Sequence, residues 1–198
     1  MILVIDNYDS FTYNLVDLIK QFDEVVIYHP DEAPLNLKID GLVISPGPGH
    51  PEDTDDLKKI INAYQDKPIL GICLGAQALT TYYGGKVIVG QEVKHGKVDQ
   101  INLIEPSIIY KACKQHFNIM RYHSLISEET SFPAELIVTG RTKDAIQSFE
   151  HRNKPHFGIQ YHPESFASDY GNEIIHAFIN TTKEGANNGH TKTTHSIS

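Results

Sequence analysis

Cysteine is scarce in this sequence, and long apolar runs are missing. The 198 residues include two cysteines, Cys73 and Cys113, which stand far apart and follow neither CxxC nor zinc-type spacing. No apolar run approaches the roughly 18 residues that a membrane span needs. The Ile-Leu-Val-Ile run after Met1 carries neither the basic region nor the cleavage site of a signal peptide. These absences predict a cytoplasmic protein with reduced thiols, no structural zinc and no membrane association.

A surplus of basic residues is also missing. The chain has 17 Lys and Arg against 25 Asp and Glu, a net charge of -8 at pH 7, so a nucleic-acid partner is not expected. The length is most simply that of one domain, which we predict over residues 1–184. Residues 185–198 are small and polar, and we expect them to form a flexible C-terminal tail.

The first part of the sequence alternates two kinds of segment. Apolar segments of strand length lie at 2–5, 25–28, 41–45 and 68–72, and apolar residues at helical spacing mark 11–21 and 54–65. Strands that are apolar on both faces must be covered on both sides. This alternation therefore predicts an α/β fold with a largely parallel central sheet flanked by helices.

The pattern changes after about residue 86. Strand-like pieces follow at 86–89, 98–104, 136–139 and 145–149, before a final strand at 156–161 and a closing helix at 170–180. Such a run of strands without intervening helices is typical of antiparallel pairing. The predicted sheet is therefore mixed, with a smaller antiparallel portion.

Cys73 lies where an apolar run turns into a helix, in the segment Gly71-Ile-Cys-Leu-Gly75. The two glycines permit a tight turn that a bulkier residue would obstruct. A side chain at this point leaves the carboxyl edge of the sheet, where open α/β sheets bind their ligands, and the helix N-terminus favours a thiolate. The position suits a nucleophile, although a small buried apolar residue would suit it as well.

A base for such a nucleophile is offered by the segment Tyr161-His-Pro-Glu164, which ends another apolar strand. Pro163 favours an extended backbone at His162, so His162 and Glu164 can point to the same side. A carboxylate beside an imidazole fixes its tautomer and stabilises the imidazolium that forms after proton transfer.

Acyl chemistry also needs hydrogen-bond donors for an oxyanion. The third strand runs into Ser45-Pro-Gly-Pro-Gly, where the prolines cannot donate and the N–H groups of Gly47 and Gly49 are left to face a ligand. An ordinary strand-to-helix turn could have the same composition. A dinucleotide site is less well supported, because the third glycine of GxGxxG is missing.

Taken together, Gly-Ile-Cys-Leu-Gly-Ala-Gln, Ser-Pro-Gly-Pro-Gly and His-Pro-Glu resemble the motifs of class I glutamine amidotransferases, and the resemblance extends from residue 1 to about 182. It implies a flavodoxin-like fold and hydrolysis of glutamine to glutamate and ammonia through a cysteine thioester. Cys73 would be the nucleophile, His162 the base and Glu164 the group that orients it. The resemblance also implies oxyanion donors and glutamine contacts. The oxyanion donors are Gly47 and Leu74, and the glutamine contacts are Gly47, Pro48, Gly49, Gln77, Ser124 and Leu125.

A finer resemblance is to the branch that serves chorismate-using synthases. It rests on Asp6–Val16, the Ser-Pro-Gly-Pro-Gly loop, Lys94-His-Gly-Lys97 and Tyr122-His-Ser-Leu125. This branch implies a heteromeric complex with a chorismate-binding synthase subunit, no cofactor in this chain, and Mg²⁺ in the partner synthase. The implied partner interface comprises Ser10, Phe11, Lys94, His95, Gly96 and Lys97. Ala76 departs from the family, which usually has histidine there, and we expect altered packing or tuning.

Alternatives remain at this level. A DJ-1-like thiol protein would need only a reactive Cys73, and a receiver-like regulator would use Asp6 and Asp9 as an acidic pocket. Neither gives a reason for His-Pro-Glu, and a receiver needs an aspartate where Ser45 stands. Within the chorismate branch, anthranilate is the favoured product. Aminodeoxychorismate is the alternative, and one subunit could serve both synthases.

Overall fold

A computed structural model describes the backbone of residues 1–190 and the side chains of residues 1–185. In this part of the chain, the strands and helices alternate first and the strands then follow one another. The strands are β1 (Ile2–Ile5), β2 (Val25–Tyr28), β3 (Gly41–Ile44), β4 (Ile69–Ile72), β5 (Val87–Leu103), β6 (His116–Ser127), β7 (Leu136–Arg141), β8 (Ile146–His151) and β9 (His156–Ile159). The α-helices are α1 (Thr12–Lys20), α2 (Asp56–Ala63), α3 (Leu74–Tyr82) and α4 (Gly171–His190).

The described strands form a nine-stranded sheet in the order β2-β1-β3-β4-β9-β8-β7-β5-β6. Neighbours from β2 through β9 pair in parallel, whereas β8, β7, β5 and β6 join by antiparallel pairing. The predicted mixed α/β sheet, parallel in its first part and antiparallel in its second, is confirmed.

The parallel strands are apolar because they are covered on both faces. In β1, Ile2 and Val4 pack into a cluster with residues of α1 and α4, whereas Leu3 and Ile5 pack into a second cluster with residues of α2 and α3. Successive side chains of a strand point to opposite faces, so both halves of this alternation are buried. The sheet is therefore held between two layers of helix, and the carboxyl ends of its parallel strands share one edge.

The antiparallel part differs from the sequence expectation in two places. β5 is a 17-residue strand where two separate pieces were expected, and β6 was not predicted at all. The two strands pair with register shifts between Val89 and Lys94 and between His95 and Lys97, and Gly96 there has a φ of 64°. A bulged, half-exposed hairpin has no regular apolar alternation, which is the signal used to find strands.

The closing helix is longer than expected. Residues 170–180 were predicted to be helical, but α4 begins at Gly171 and continues to His190, through the first residues of the predicted tail. Residues 191–198 of that tail lie outside the described residues. Within the described part of the chain, no helix combines the length and the apolar character that crossing a membrane requires.

Candidate active site

Cys73 lies at a sharp turn between β4 and α3. Its backbone has a φ of 53°, in the left-handed region that residues with a side chain rarely adopt. The turn needs the flanking glycines, because a Cβ on Gly71 would lie 2.3 Å from the Gly75 carbonyl oxygen, and one on Gly75 would lie 2.3 Å from the Ile44 carbonyl oxygen. A strained backbone of this kind is typical of functional sites. It is also the geometry of a nucleophile elbow, which exposes a side chain above the sheet.

His162 and Glu164 lie beside this turn because β9 is the parallel neighbour of β4. Ile72 is paired with Ile159, and the chain continues from there to His162. His162 Nδ1 lies 2.6 Å from Glu164 Oε1, and both side chains are buried. His162 Nε2 has no hydrogen-bond partner among the described residues. The imidazole is therefore held from one side and has its second nitrogen available.

The electrostatic setting of His162 favours its protonated form. Burial lowers the pKa of His162, but interactions with Cys73 and Glu164 outweigh burial and raise the pKa to about 10. An imidazole with this pKa accepts a proton readily at neutral pH. A thiol, an imidazole and a carboxylate thus stand in the arrangement that activates a cysteine.

A cleft of about 450 Å³ opens beside Cys73, a volume suited to a small ligand. It contains every residue that the family resemblance assigned to glutamine. These residues are Gly47, Pro48, Gly49, Gln77, Ser124 and Leu125. The structure thus joins the loop after β3, helix α3 and the end of β6, which are far apart in the sequence.

Gly47, one of the two predicted oxyanion donors, lines this cleft, and Leu74, the other, follows Cys73 directly. Gly47 is packed so closely that a Cβ there would lie 2.4 Å from Asn7 Cβ and 3.1 Å from Leu74 Cδ2. Leu74 is the first residue of α3, so its N–H lacks an acceptor inside the helix. Asn7 donates to the Ser45 carbonyl oxygen at 2.7 Å and anchors the start of this loop.

Gln160 is a site residue that the sequence interpretation did not include. Its Nε2 lies 3.7 Å from Cys73 Sγ, and its Oε1 accepts a hydrogen bond of 3.1 Å from Gln77 Nε2. The same Gln77 nitrogen donates to the Leu125 carbonyl oxygen at 3.0 Å. Both hydrogens of that amide are therefore used inside the protein. A signal did exist, since Gln160 precedes His162 by two residues and alternation along a strand puts them on one side.

The segments predicted to contact a partner lie on the other side of Cys73. A second cleft of about 330 Å³ is lined by Cys73, Ser10, Phe11 and His95, among others. Phe11 and His95 both contact the ring of Tyr122, with ring centroids 5.6 Å and 5.8 Å from it. Gly96 and Lys97 are exposed nearby on β5, whereas Lys94 is engaged with Glu92 at 2.5 Å. Binding of a partner to these residues stays a prediction.

Two further expectations concern Ala76 and cofactors. Ala76 is buried on α3 within the cluster that covers β3 and β4, which is consistent with a packing position outside the Cys73 cleft. Among the side chains that the structure describes, those of residues 1–185, no group of three or more His, Cys, Asp or Glu is arranged to hold a metal ion. The expectation that this chain uses no cofactor stays a prediction.

Comparison with known proteins identifies the class of protein to which a chain with this geometry belongs. Residues 3–181 match the family described as glutamine amidotransferase class-I. The chain belongs to the class I glutamine amidotransferases, and it is an amidotransferase enzyme.

Individual relatives show a more specific similarity than the family match does. The chain is 37% identical over 198 residues to anthranilate synthase component 2 of Lactococcus lactis, an alignment that covers 97% of this chain and 100% of that protein. It is also 37% identical over 191 residues to the aminodeoxychorismate/anthranilate synthase component 2 of Bacillus subtilis, covering 93% and 98% of the two chains.

Among solved structures, the fold matches that of a Thermoplasma acidophilum protein described as a putative GMP synthase subunit. The TM-score is 0.87, the sequence identity is 23%, and 96% of each chain is covered. At this identity the match shows the fold alone. It agrees with the mixed sheet and flanking helices described above.

Proposed function

We propose that this amidotransferase hydrolyses glutamine at Cys73 and delivers the ammonia to a chorismate-using synthase subunit, most simply anthranilate synthase. The observation that carries the glutaminase part is the meeting of Cys73, on its strained turn, with the buried His162–Glu164 pair. A DJ-1-like thiol protein has no use for that pair. A receiver-like regulator would need an aspartate after β3, where Ser45 stands.

In the proposed reaction, His162 takes the thiol proton of Cys73, and the sulfur attacks the side-chain amide carbon of glutamine. The tetrahedral intermediate collapses as His162 returns the proton to the leaving nitrogen, which departs as ammonia. A γ-glutamyl thioester remains on Cys73. Water then attacks the thioester, His162 accepts its proton, and glutamate and the free thiol are released. Glu164 holds the imidazole and stabilises its charged form.

The oxyanion of both tetrahedral intermediates would be received by the backbone N–H groups of Gly47 and Leu74. Two preorganised donors of this kind contribute about 3 kcal/mol or more each in acyl-transfer enzymes. Glutamine itself would occupy the cleft lined by the Pro48–Gly49 loop and the Ser124–Leu125 segment. Gln77 would act mainly by bracing Leu125 and Gln160, because its amide hydrogens already serve those two residues.

The synthase part of the proposal is supported by the names of the relatives, several of which are component 2 of anthranilate synthase. The partner would be a chorismate-binding component 1 with its own Mg²⁺, joined to this chain through Ser10, Phe11 and Lys94–Lys97. A second candidate is supply of ammonia for aminodeoxychorismate. It is favoured by the Bacillus subtilis relative, whose name includes both activities.

The deciding experiment replaces the nucleophile. In a complex with the synthase subunit, Cys73→Ala is expected to abolish glutamine-dependent product formation while synthesis from added ammonium salts stays nearly intact. Cys113→Ser is the matched control and should leave both activities unchanged, since Cys113 lies away from the cleft. Glutamine-dependent turnover by Cys73→Ala above a trace would overturn the mechanism.

The product is decided by reconstitution. The purified chain should be mixed in turn with anthranilate synthase component 1 and with the large subunit of aminodeoxychorismate synthase, and the aromatic product identified by mass spectrometry. Anthranilate with glutamine as the nitrogen source supports the favoured assignment. If aminodeoxychorismate is the only product, the second candidate replaces the anthranilate assignment. If neither product forms, the synthase role is refuted.

A further inference from the structure

Arg121 is fully buried at 0% exposure, although its guanidinium carries a permanent charge and it is not among the predicted site residues. It lies on β6, two residues before His123. His123 lines the cleft that also contains Cys73. A buried cation needs hydrogen-bonding or oppositely charged partners, and the partners of Arg121 indicate its role near the candidate active site.

The guanidinium is held by carboxylates from two other elements. Its Nη1 donates to Asp99 Oδ2 at 2.7 Å and to Asp144 Oδ1 at 2.9 Å, and its Nη2 donates to Asp144 Oδ2 at 2.8 Å. Asp99 belongs to β5 and Asp144 to the turn between β7 and β8. This bidentate arrangement fixes the plane of the guanidinium. Two N–H donors remain, one on Nη2 and one on Nε, and the Nε–H lies toward the cleft.

The Nε–H of Arg121 determines which ring nitrogen of His123 carries the proton. Arg121 Nε donates to His123 Nε2 at 3.1 Å, and because a guanidinium cannot accept a hydrogen bond, Nε2 must be the unprotonated nitrogen. The proton therefore lies on Nδ1, which donates to the Leu125 carbonyl oxygen at 3.0 Å. Burial, together with the charge of Arg121, also lowers the pKa of His123 to about 4. His123 is thus neutral with both nitrogens engaged and cannot relay protons.

The Leu125 carbonyl is held from two sides. It accepts from His123 Nδ1 and from Gln77 Nε2, each at 3.0 Å, which uses both of its lone pairs. The carbonyl is therefore not available to a ligand. Its fixed orientation instead sets the direction of the adjoining Ser124–Leu125 backbone, which lines the cleft.

We propose that Arg121 is a positioning residue for glutamine binding, acting through His123 to fix the Ser124–Leu125 segment. The inference rests on the proposed binding of glutamine in this cleft. Because the segment ends a bulged and half-exposed hairpin, its backbone alone does not determine its course. The Asp99–Asp144–Arg121 cluster supplies the rigidity that the fully buried parallel strands have from their packing.

The test compares two reagents that alkylate Cys73. Recognition of 6-diazo-5-oxonorleucine, a glutamine-like electrophile, requires the cleft, whereas iodoacetamide requires only the thiol. For Arg121→Met, the inactivation constant KI of the diazo compound is expected to rise about tenfold, the loss of roughly one hydrogen bond. The limiting rate kinact and the iodoacetamide rate should change little. Arg152→Met is the control, since the side chain of exposed Arg152 donates to Ala134 O at a distant turn, and its KI should be unchanged.

A double-mutant cycle tests whether Arg121 acts through its neighbour. His123→Leu should raise KI as much as Arg121→Met, and adding Arg121→Met to it should raise KI little further, whereas independent effects would multiply. His123→Asn retains a donor near the Nδ1 position and should recover part of the affinity. Asp144→Asn keeps Arg121 and weakens its clamp, so a smaller rise is expected even if Arg121→Met does not fold.

The outcomes separate the two levels of the argument. If 6-diazo-5-oxonorleucine does not label Cys73 in the unmodified chain, the proposed function fails. If it does label Cys73 but Arg121→Met, Asp144→Asn and His123→Leu all keep the same KI, the inference fails alone. Multiplicative effects in the cycle, or an equal fall in kinact and in the iodoacetamide rate, would also overturn the inference.

Discussion

The two parts of the sheet contribute different things to the site. The groups proposed to react follow parallel strands, with Cys73 after β4 and His162 after β9, and these strands are four residues long and fully buried. Half of the residues proposed to recognise glutamine or a partner, namely Lys94–Lys97, Ser124 and Leu125, lie on β5 and β6, which are long, bulged and partly exposed. Reacting groups are fixed by backbone packing, whereas the recognition segments depend on side-chain contacts such as those of Arg121.

The comparison predicts its largest effect at the reacting groups. His162→Asn should lower glutamine hydrolysis by roughly 10⁴-fold or more, because removing the base disables the whole unit. Glu164→Gln should cost less, since the imidazole can still act while poorly oriented. Steady-state release of glutamate with the synthase subunit present measures both. Equal and small losses would mean that the His162–Glu164 pair is structural.

The backbone of the parallel part should tolerate almost no added volume. A Cβ on Gly75 would lie 2.3 Å from the Ile44 carbonyl oxygen, and the backbone there cannot yield. Gly75→Ala should therefore destabilise the fold by about 3 kcal/mol in urea unfolding and also suppress alkylation of Cys73. Gly185→Ala is the control, because that position in α4 is open, and it should be neutral or stabilising by up to about 1 kcal/mol. Unchanged stability of Gly75→Ala would contradict the close packing.

One buried neutral histidine in each part makes stability depend on pH. Burial is the main cause that lowers the pKa of His123 in β6 and of His156 in β9 to about 4, below the roughly 6.5 of an unfolded chain. Below pH 6.5 the unfolded chain takes up protons that the folded chain does not. Stability is therefore fully present above about pH 6.5 and falls toward pH 4, by about 3 kcal/mol at most for each histidine.

His162 should change the pH dependence of stability in the opposite direction, because its pKa is raised to about 10. Its contribution is fully present below about pH 6.5 and is lost as the pH rises toward 10. Urea unfolding from pH 4 to 10 measures all three groups. His156→Gln should flatten the acid limb and His162→Asn the alkaline limb. If the dependence of the unfolding free energy on pH is the same in these variants as in the unmodified chain, other groups cause it.

The smallest expected effect concerns the exposed part of the hairpin. Lys94→Glu with Lys97→Glu should weaken binding of the partner synthase about tenfold, mainly through slower association at low salt, and leave the melting temperature nearly unchanged. Lys111→Glu, in the connection between β5 and β6 and at a cleft that neither Lys94 nor Lys97 lines, is the control for added negative charge. Titration calorimetry at two salt concentrations is the measurement. Unaltered affinity would remove the hairpin from the proposed interface.

The sequence allowed the parallel part and its reacting residues to be predicted. Four apolar segments with two helices among them leave few other arrangements, and the glycines around Cys73 mark the turn directly. β6 could not be found in this way. This strand contains buried Arg121 and His123, which look like surface residues until Asp99 of β5 and Asp144 of the β7–β8 turn are brought to Arg121. Gln160 was missed because its two-residue spacing from His162 is a weak signal, and an amide side chain does not by itself indicate a contact with a thiol.

The sequence by itself determined the α/β class and the positions along the chain of the apolar segments that form the parallel strands. It also determined which residues are able to act as nucleophile, base and orienting carboxylate. These follow from local properties: apolar periodicity, turn chemistry and side-chain reactivity. Only the tertiary structure decided that β9 lies beside β4, bringing His162 to Cys73, and that β5 and β6 form one hairpin beside the cleft. Those pairings join residues tens of positions apart, and their free energy comes from contacts that no single segment contains.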